Sequence, residues 1–152
     1  MATSQEYLLR LFEYSHKTNL QFIRFIKENR SELPLKVIQL FDHTLNAHHI
    51  WNHRILKDDM TVGVWQENNI DLWEEIEQLN HELSLQIIAQ SDLEEILNYH
   101  SSSGDAYSAK IGDILLHLAN HATHHRAQIS LLARQNDIAP ITSDYIYHKV
   151  KE

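Results

Sequence analysis

Cysteine is absent from this 152-residue chain. That excludes disulfides, thiolate metal sites and a cysteine nucleophile. Glycine and proline, the residues that punctuate strands and loops, number only three and two, so the chain reads as mostly helix. Basic residues are outnumbered, 13 Lys and Arg against 21 Asp and Glu, for a net charge of −8 with histidines neutral. A surface that wraps nucleic acid needs the opposite excess, so no nucleic-acid partner is expected. No apolar run approaches the ~18 residues of a membrane span. Gln5 and Glu6 stand where a signal peptide would begin its apolar stretch. The expectation is a cytoplasmic protein with no membrane partner.

What remains is enough for one core. Hydrophobic residues make up 43% of the chain, and no repeat, low-complexity tract or linker divides it, so residues 1–152 read as a single domain. The excess lies in histidine. There are twelve, and eight fall in two short windows, residues 43–53 and 117–125. Composition alone is compatible with a metal site or with a histidine-rich surface, and position has to separate the two.

Hydrophobic spacing predicts four long helices. The first runs over about 4–27, with Leu8, Leu11, Phe12, Leu20, Ile23 and Ile26 at helical spacing and Ser4 as its N-cap. Pro34 opens the second, which reaches about residue 57. Residues 58–69 read as a connection, made sticky by Val62, Val64 and Trp65 and therefore expected to pack over the helices. The third helix starts near Asp71, as N-cap, and continues to about residue 90 through Leu72, Ile76, Leu79, Leu83 and Ile87. Ser91 is placed to cap a short turn over 92–95. Residues 96–99 and 106–108 flank a turn-rich Ser-Ser-Ser-Gly-Asp stretch that fits a small hairpin. The last long helix covers about 110–135, and the tail with Pro140, Tyr145 and Tyr147 is expected to fold back.

A helix turns about 100° per residue, which assigns each histidine a face. On the last helix His125 falls within the apolar sector of Ile111, Ile114, Leu115, Leu118, Ala122, Ile129 and Leu132, and His121 lies at its edge. His117 and His124 fall outside it. On the second helix His43 shares the buried sector of Leu40, Ala47, Ile50 and Trp51, while His49 and His53 lie opposite with Gln39, Asp42, Asn46 and Lys57, and His48 lies between. A single buried histidine is usually a hydrogen-bonded core residue. Two of them one turn apart, each needing a partner, fit two ligands of one metal. A third from a facing helix would complete a site of the kind bundles build. His49, His53, His81, His100 and His148 read as solvated, and Trp51, Trp65 and Trp73 as core or lid aromatics. The acidic residues are not evidently placed inside, and Ile38, Leu45 and Leu56 form a second apolar set on the second helix.

Residues 116–129, Leu-His-Leu-Ala-Asn-His-Ala-Thr-His-His-Arg-Ala-Gln-Ile, closely resemble the last-helix signature of the DinB/YfiT-like family, approximately N-H-x-x-H-H-R-G-Q. His43, Trp51 and Arg54 match that family's upstream H-x(7)-W-x-x-R helix, and the 99–104 stretch also fits. The resemblance implies an all-α four-helix bundle with a long crossover connection, often a homodimer. It also implies a divalent metal on three histidines, carried over as His43, His121 and His125. Ala127 departs from the family's usual glycine, a change that touches local helix packing. Activities known in the family include transfer or addition chemistry with low-molecular-weight thiols such as bacillithiol, mycothiol or glutathione, and its name comes from damage-inducible genes.

Three neutral imidazoles leave a coordination position open, as catalytic sites do. Histidine ligands suit Zn, Ni, Cu, Fe or Co, with Zn or Ni the leading expectation. The expected activity is thiol-dependent, S-transferase-like chemistry on a small molecule, the thiol supplying the sulfur that this chain lacks. The alternatives are a metal-dependent hydrolase and a non-enzymatic metal-binding stress-response protein. Asn120, His124 and Gln128 lie near enough to support the ligands' other ring nitrogens. No general acid or base is assigned.

Overall fold

The computed structural model describes residues 1–58, 62–101 and 103–149. Within them the chain forms α1 (Ser4–Glu28), α2 (Leu35–Leu56), α3 (Trp73–Gln90), a two-stranded sheet of β1 (Ile96–His100) and β2 (Ala106–Lys110), α4 (Ile111–Gln135) and a short α5 (Tyr145–Lys149). A single 3-10 turn, Ile70–Leu72, leads into α3. The protein is thus mainly helical, with α1 and α2 each packed against both α3 and α4.

Local chemistry sets the helix ends. Thr3, not Ser4, caps α1: its hydroxyl accepts from the Glu6 N–H at 3.2 Å while the Thr3 N–H donates to the Glu6 carboxylate at 2.6 Å. This reciprocal pair satisfies two of the first-turn donors that have no partner within the helix. Asp71 does not cap the third helix either. Asn69 caps the 3-10 turn that precedes α3, accepting from the Asp71 N–H. Ser91 is the residue that ends α3, and it is Asp92 whose carboxylate caps the following turn, accepting from the Glu94 N–H at 3.0 Å. The hairpin pairs Tyr99 with Tyr107 across the strands, and Gly104 takes a φ of +92° in its turn, a region L side chains rarely adopt. Ser102 of that turn, and residues 59–61 of the connection, lie outside the described residues.

The interior has two apolar ends and a polar middle. One cluster gathers Phe22, Ile26, Phe41, Leu45, Trp73 and Ile129; the other gathers Leu8, Phe12, Ile87, Leu97, Leu115 and Leu118. Each fully buried side chain of this size contributes about 1.5–3 kcal/mol. Between them lie buried polar groups that hydrogen-bond one another across helices. His48 meets Ser84 at 2.7 Å, Ser84 donates to Asn52, and Asn52 donates to the Asn80 carbonyl. Glu77 accepts from Asn19 at 3.0 Å and faces His16 at 3.1 Å. Arg126 donates to Asn19, Ser15 and Thr123.

This layer corrects several expectations. Glu77 and Asp42 are buried, 1% and 2% exposed, so acidic groups do lie inside. His81 is buried too, stacked on His16 with ring centroids 4.1 Å apart, and is not a solvated surface residue. Leu79, expected in the core, is 58% exposed, because α3 turns Glu77, Asn80 and Ser84 inward instead. Asp42 and Asn46 leave the supposed polar face of α2 because the connection covers them. Asn68 bonds both, Asn46 holds the Gln66 carbonyl, and the Trp73 indole N–H donates to Asp42 at 2.9 Å. The tail does fold back: the Tyr14 hydroxyl donates to the Ser143 carbonyl.

Candidate metal centre

Two helices supply the three histidines. His43 projects from the middle of α2, and His121 and His125 project one turn apart from α4, which packs against α2. Their ring nitrogens converge. His43 Nε2 lies 3.0 Å from His121 Nε2, and His125 Nε2 lies 3.1 Å from the same atom. The donor atoms of all three fall within 4.8 Å of one another, a group that could hold a metal ion.

The opposite ring nitrogens fix the protonation. His43 Nδ1 donates to the Val64 carbonyl at 3.2 Å, and His125 Nδ1 donates to the Gln128 side-chain oxygen at 2.7 Å. A neutral imidazole carries one proton, so both rings present bare Nε2 lone pairs inward. His121 can donate to only one of them. At least one Nε2 lone pair is therefore left with no proton to accept, an arrangement a cation relieves. Tetrahedral Zn–N bonds of about 2.0–2.1 Å place ligand nitrogens roughly 3.3 Å apart, close to the two separations from His121 Nε2.

Electrostatics favours the same protonation state. Burial lowers the pKa of His121 to about 3, helped by the neighbouring His125 and His43. Burial also lowers His43 and His125, against the opposing pull of the Val64 carbonyl and the Gln128 side chain respectively. Neutral imidazole is the form that binds metal.

Around the cluster, Trp65 stacks on His43 with centroids 4.0 Å apart and planes at 12°, so it is the lid aromatic, whereas Trp73 is core. A cleft of about 380 Å³ opens beside His43 and His121, walled by Trp51, Tyr99 and Tyr107. His117 and His124 are exposed, as their faces on the wheel require. Of the supporting residues weighed from spacing, Gln128 makes the contact. The Val64 carbonyl had no signal in the sequence, since a backbone acceptor on an irregular connection leaves no residue-type trace.

A helical protein with a convergent, charge-neutral histidine triad at the edge of a cleft is the class defined by this geometry. The chain belongs to the DinB family, whose model matches residues 1–151. It is also similar to the protein DinB of Bacillus subtilis (strain 168), 24% identical over an alignment of 160 positions, gaps included, that covers 92% of each chain.

Proposed function

We propose that this protein is a metal-dependent enzyme that joins a low-molecular-weight thiol to a small-molecule electrophile, with His43, His121 and His125 as the metal ligands. In this reading residues 1–152 are one domain, the four long helices form a four-helix bundle, and 57–72 is its long crossover. The observation that carries the proposal is the set of Nε2 atoms meeting with too few protons to satisfy one another, beside an open cleft. A bound Zn or Ni ion would supply Lewis acidity, lowering the pKa of a thiol or water at its free position.

The residues themselves do the holding. Val64 and Gln128 fix the ring orientation of two ligands, which keeps their Nε2 lone pairs aimed inward. Trp65 covers one face of His43, and Trp51, Tyr99 and Tyr107 wall the cleft beside it. In the transfer, the thiol's proton passes to solvent water, its sulfur forms a bond to the electrophilic carbon, and the leaving group departs with the old bonding pair. Without cysteine in the chain, the sulfur must come from a co-substrate. Hydrolysis is less well supported. It needs a general base near the open position, and no carboxylate is among the described residues lining the cleft. Glu77 is instead occupied by His16 and Asn19.

Metal-loaded protein is expected to accelerate conjugation of bacillithiol, glutathione, coenzyme A or cysteine to monochlorobimane. His125→Ala is expected to abolish that rate while circular dichroism stays unchanged. Turnover of ester or amide substrates with no thiol effect would replace this reading with the hydrolase.

A further inference from the structure

His43, Ala47, Ile50, Trp51 and Arg54 follow one another on α2 at intervals of 4, 3, 1 and 3 residues, which places them on one stripe of the helix, and all five line the cleft. The stripe begins at the histidine triad and ends at a guanidinium. That guanidinium is held in place. It lies over the Trp51 ring at 4.7 Å and near the Tyr99 ring at 5.5 Å, and those two rings meet edge to face at 4.9 Å.

Aromatic stacking occupies the face of an arginine and leaves its edge free. One Nη2 donates to the His100 carbonyl at 3.3 Å. The remaining in-plane N–H groups have no protein acceptor among the described residues. No carboxylate is among the described residues lining the cleft either, although acidic residues outnumber basic ones in the chain. A fixed, half-buried cation with a free fork, beside apolar walls, is the geometry that selects a planar anion.

We propose that Arg54 is the substrate-anchoring residue of this cleft and that it binds the carboxylate of an organic acid whose reactive atom lies at the His43–His121–His125 triad. The proposal rests on the reading of that triad as the reaction centre. Eleven residues of α2 separate His43 from Arg54, about 16 Å along the axis. The arginine side chain leans back toward the helix N-terminus, so the carboxylate and the reacting atom are expected on the order of 10 Å apart. The cleft therefore selects for length as well as charge.

The test uses cobalt(II)-loaded protein and a series of straight-chain thiol acids, from mercaptoacetate to mercaptoundecanoate, each beside its methyl ester. Affinity is read by calorimetry. Wild type is expected to bind the acids of intermediate length about tenfold or more tightly than their esters. Arg54→Gln is expected to erase that preference while leaving ester affinity within about twofold, and Arg54→Lys to retain part of it. Equal binding of acid and ester by wild type overturns the proposal. So does an Arg54→Gln variant that weakens both alike, which would make Arg54 a packing residue of the Trp51–Tyr99 wall. The thiolate-to-cobalt absorption band reports separately on the triad. An acid preference without that band would sink the metal reading and leave the carboxylate site standing.

Discussion

At the scale of single residues, the stacked pair His16 and His81 shows what a buried imidazole does to stability. Burial lowers the His81 pKa to about 4, reinforced by the His16 charge and opposed by Glu13 and Glu82. His48, buried on the facing helix, is lowered to about 3 for the same reason and also couples to His81. The folded protein thus keeps His81 neutral down to about pH 4, whereas the unfolded chain protonates it near 6.5. Acidification from pH 7 to 5 therefore charges only the unfolded state, and stability falls. His81→Asn removes this contribution. Urea unfolding in the presence of a chelator is expected to show a loss of stability between pH 7 and 5 that is smaller by about 2 kcal/mol than in wild type. An identical loss in the two proteins would contradict the account. The wheel selected His43, His121 and His125 because apolar neighbours marked their face. His81, read as solvated, is buried because α3 carries Glu77, Asn80 and Ser84 beside it, and a polar stripe that meets polar groups on another helix looks the same in sequence as one that meets water.

At the scale of elements, long periodic runs were the most legible. The predicted spans of the four long helices end within one or two residues of those observed, and the hairpin follows from its turn residues and flanking aromatics. The caps were less legible. Thr3 and Ser4 are both good N-cap residues, and only the position of Glu6 three residues after Thr3 completes the reciprocal pair. The connection between α2 and α3 was expected to pack down, and residues 64–69 do so, through Asn68 and the Gln66 carbonyl. What the sequence did not disclose is that this connection brings a backbone carbonyl to His43 and an indole onto its ring. Both contacts depend on where an irregular segment crosses a helix, and no period encodes that.

At the scale of the whole molecule, the second apolar set of α2, Ile38, Leu45 and Leu56, is partly used within the chain. Leu45 is fully buried and Ile38 packs on the core, leaving Leu56 exposed. A better candidate surface is an apolar groove of about 330 Å³ between the first turns of α1 and α4, with Tyr7 and Leu116 exposed along it. A second copy of the chain covering that groove would give the homodimer implied by the family resemblance. Light scattering at micromolar concentration is expected to return twice the chain mass, and a monomer throughout that range would remove the dimer.

Elemental analysis of untagged protein tests the histidine triad most directly. Wild type is expected to carry about one divalent ion per chain, the number three convergent ligands hold. His121→Ala/His125→Ala is expected to carry essentially none. His124→Ala, exposed and turned away, is expected to keep its ion. A double variant that holds as much metal as wild type would contradict the assignment of these histidines as ligands.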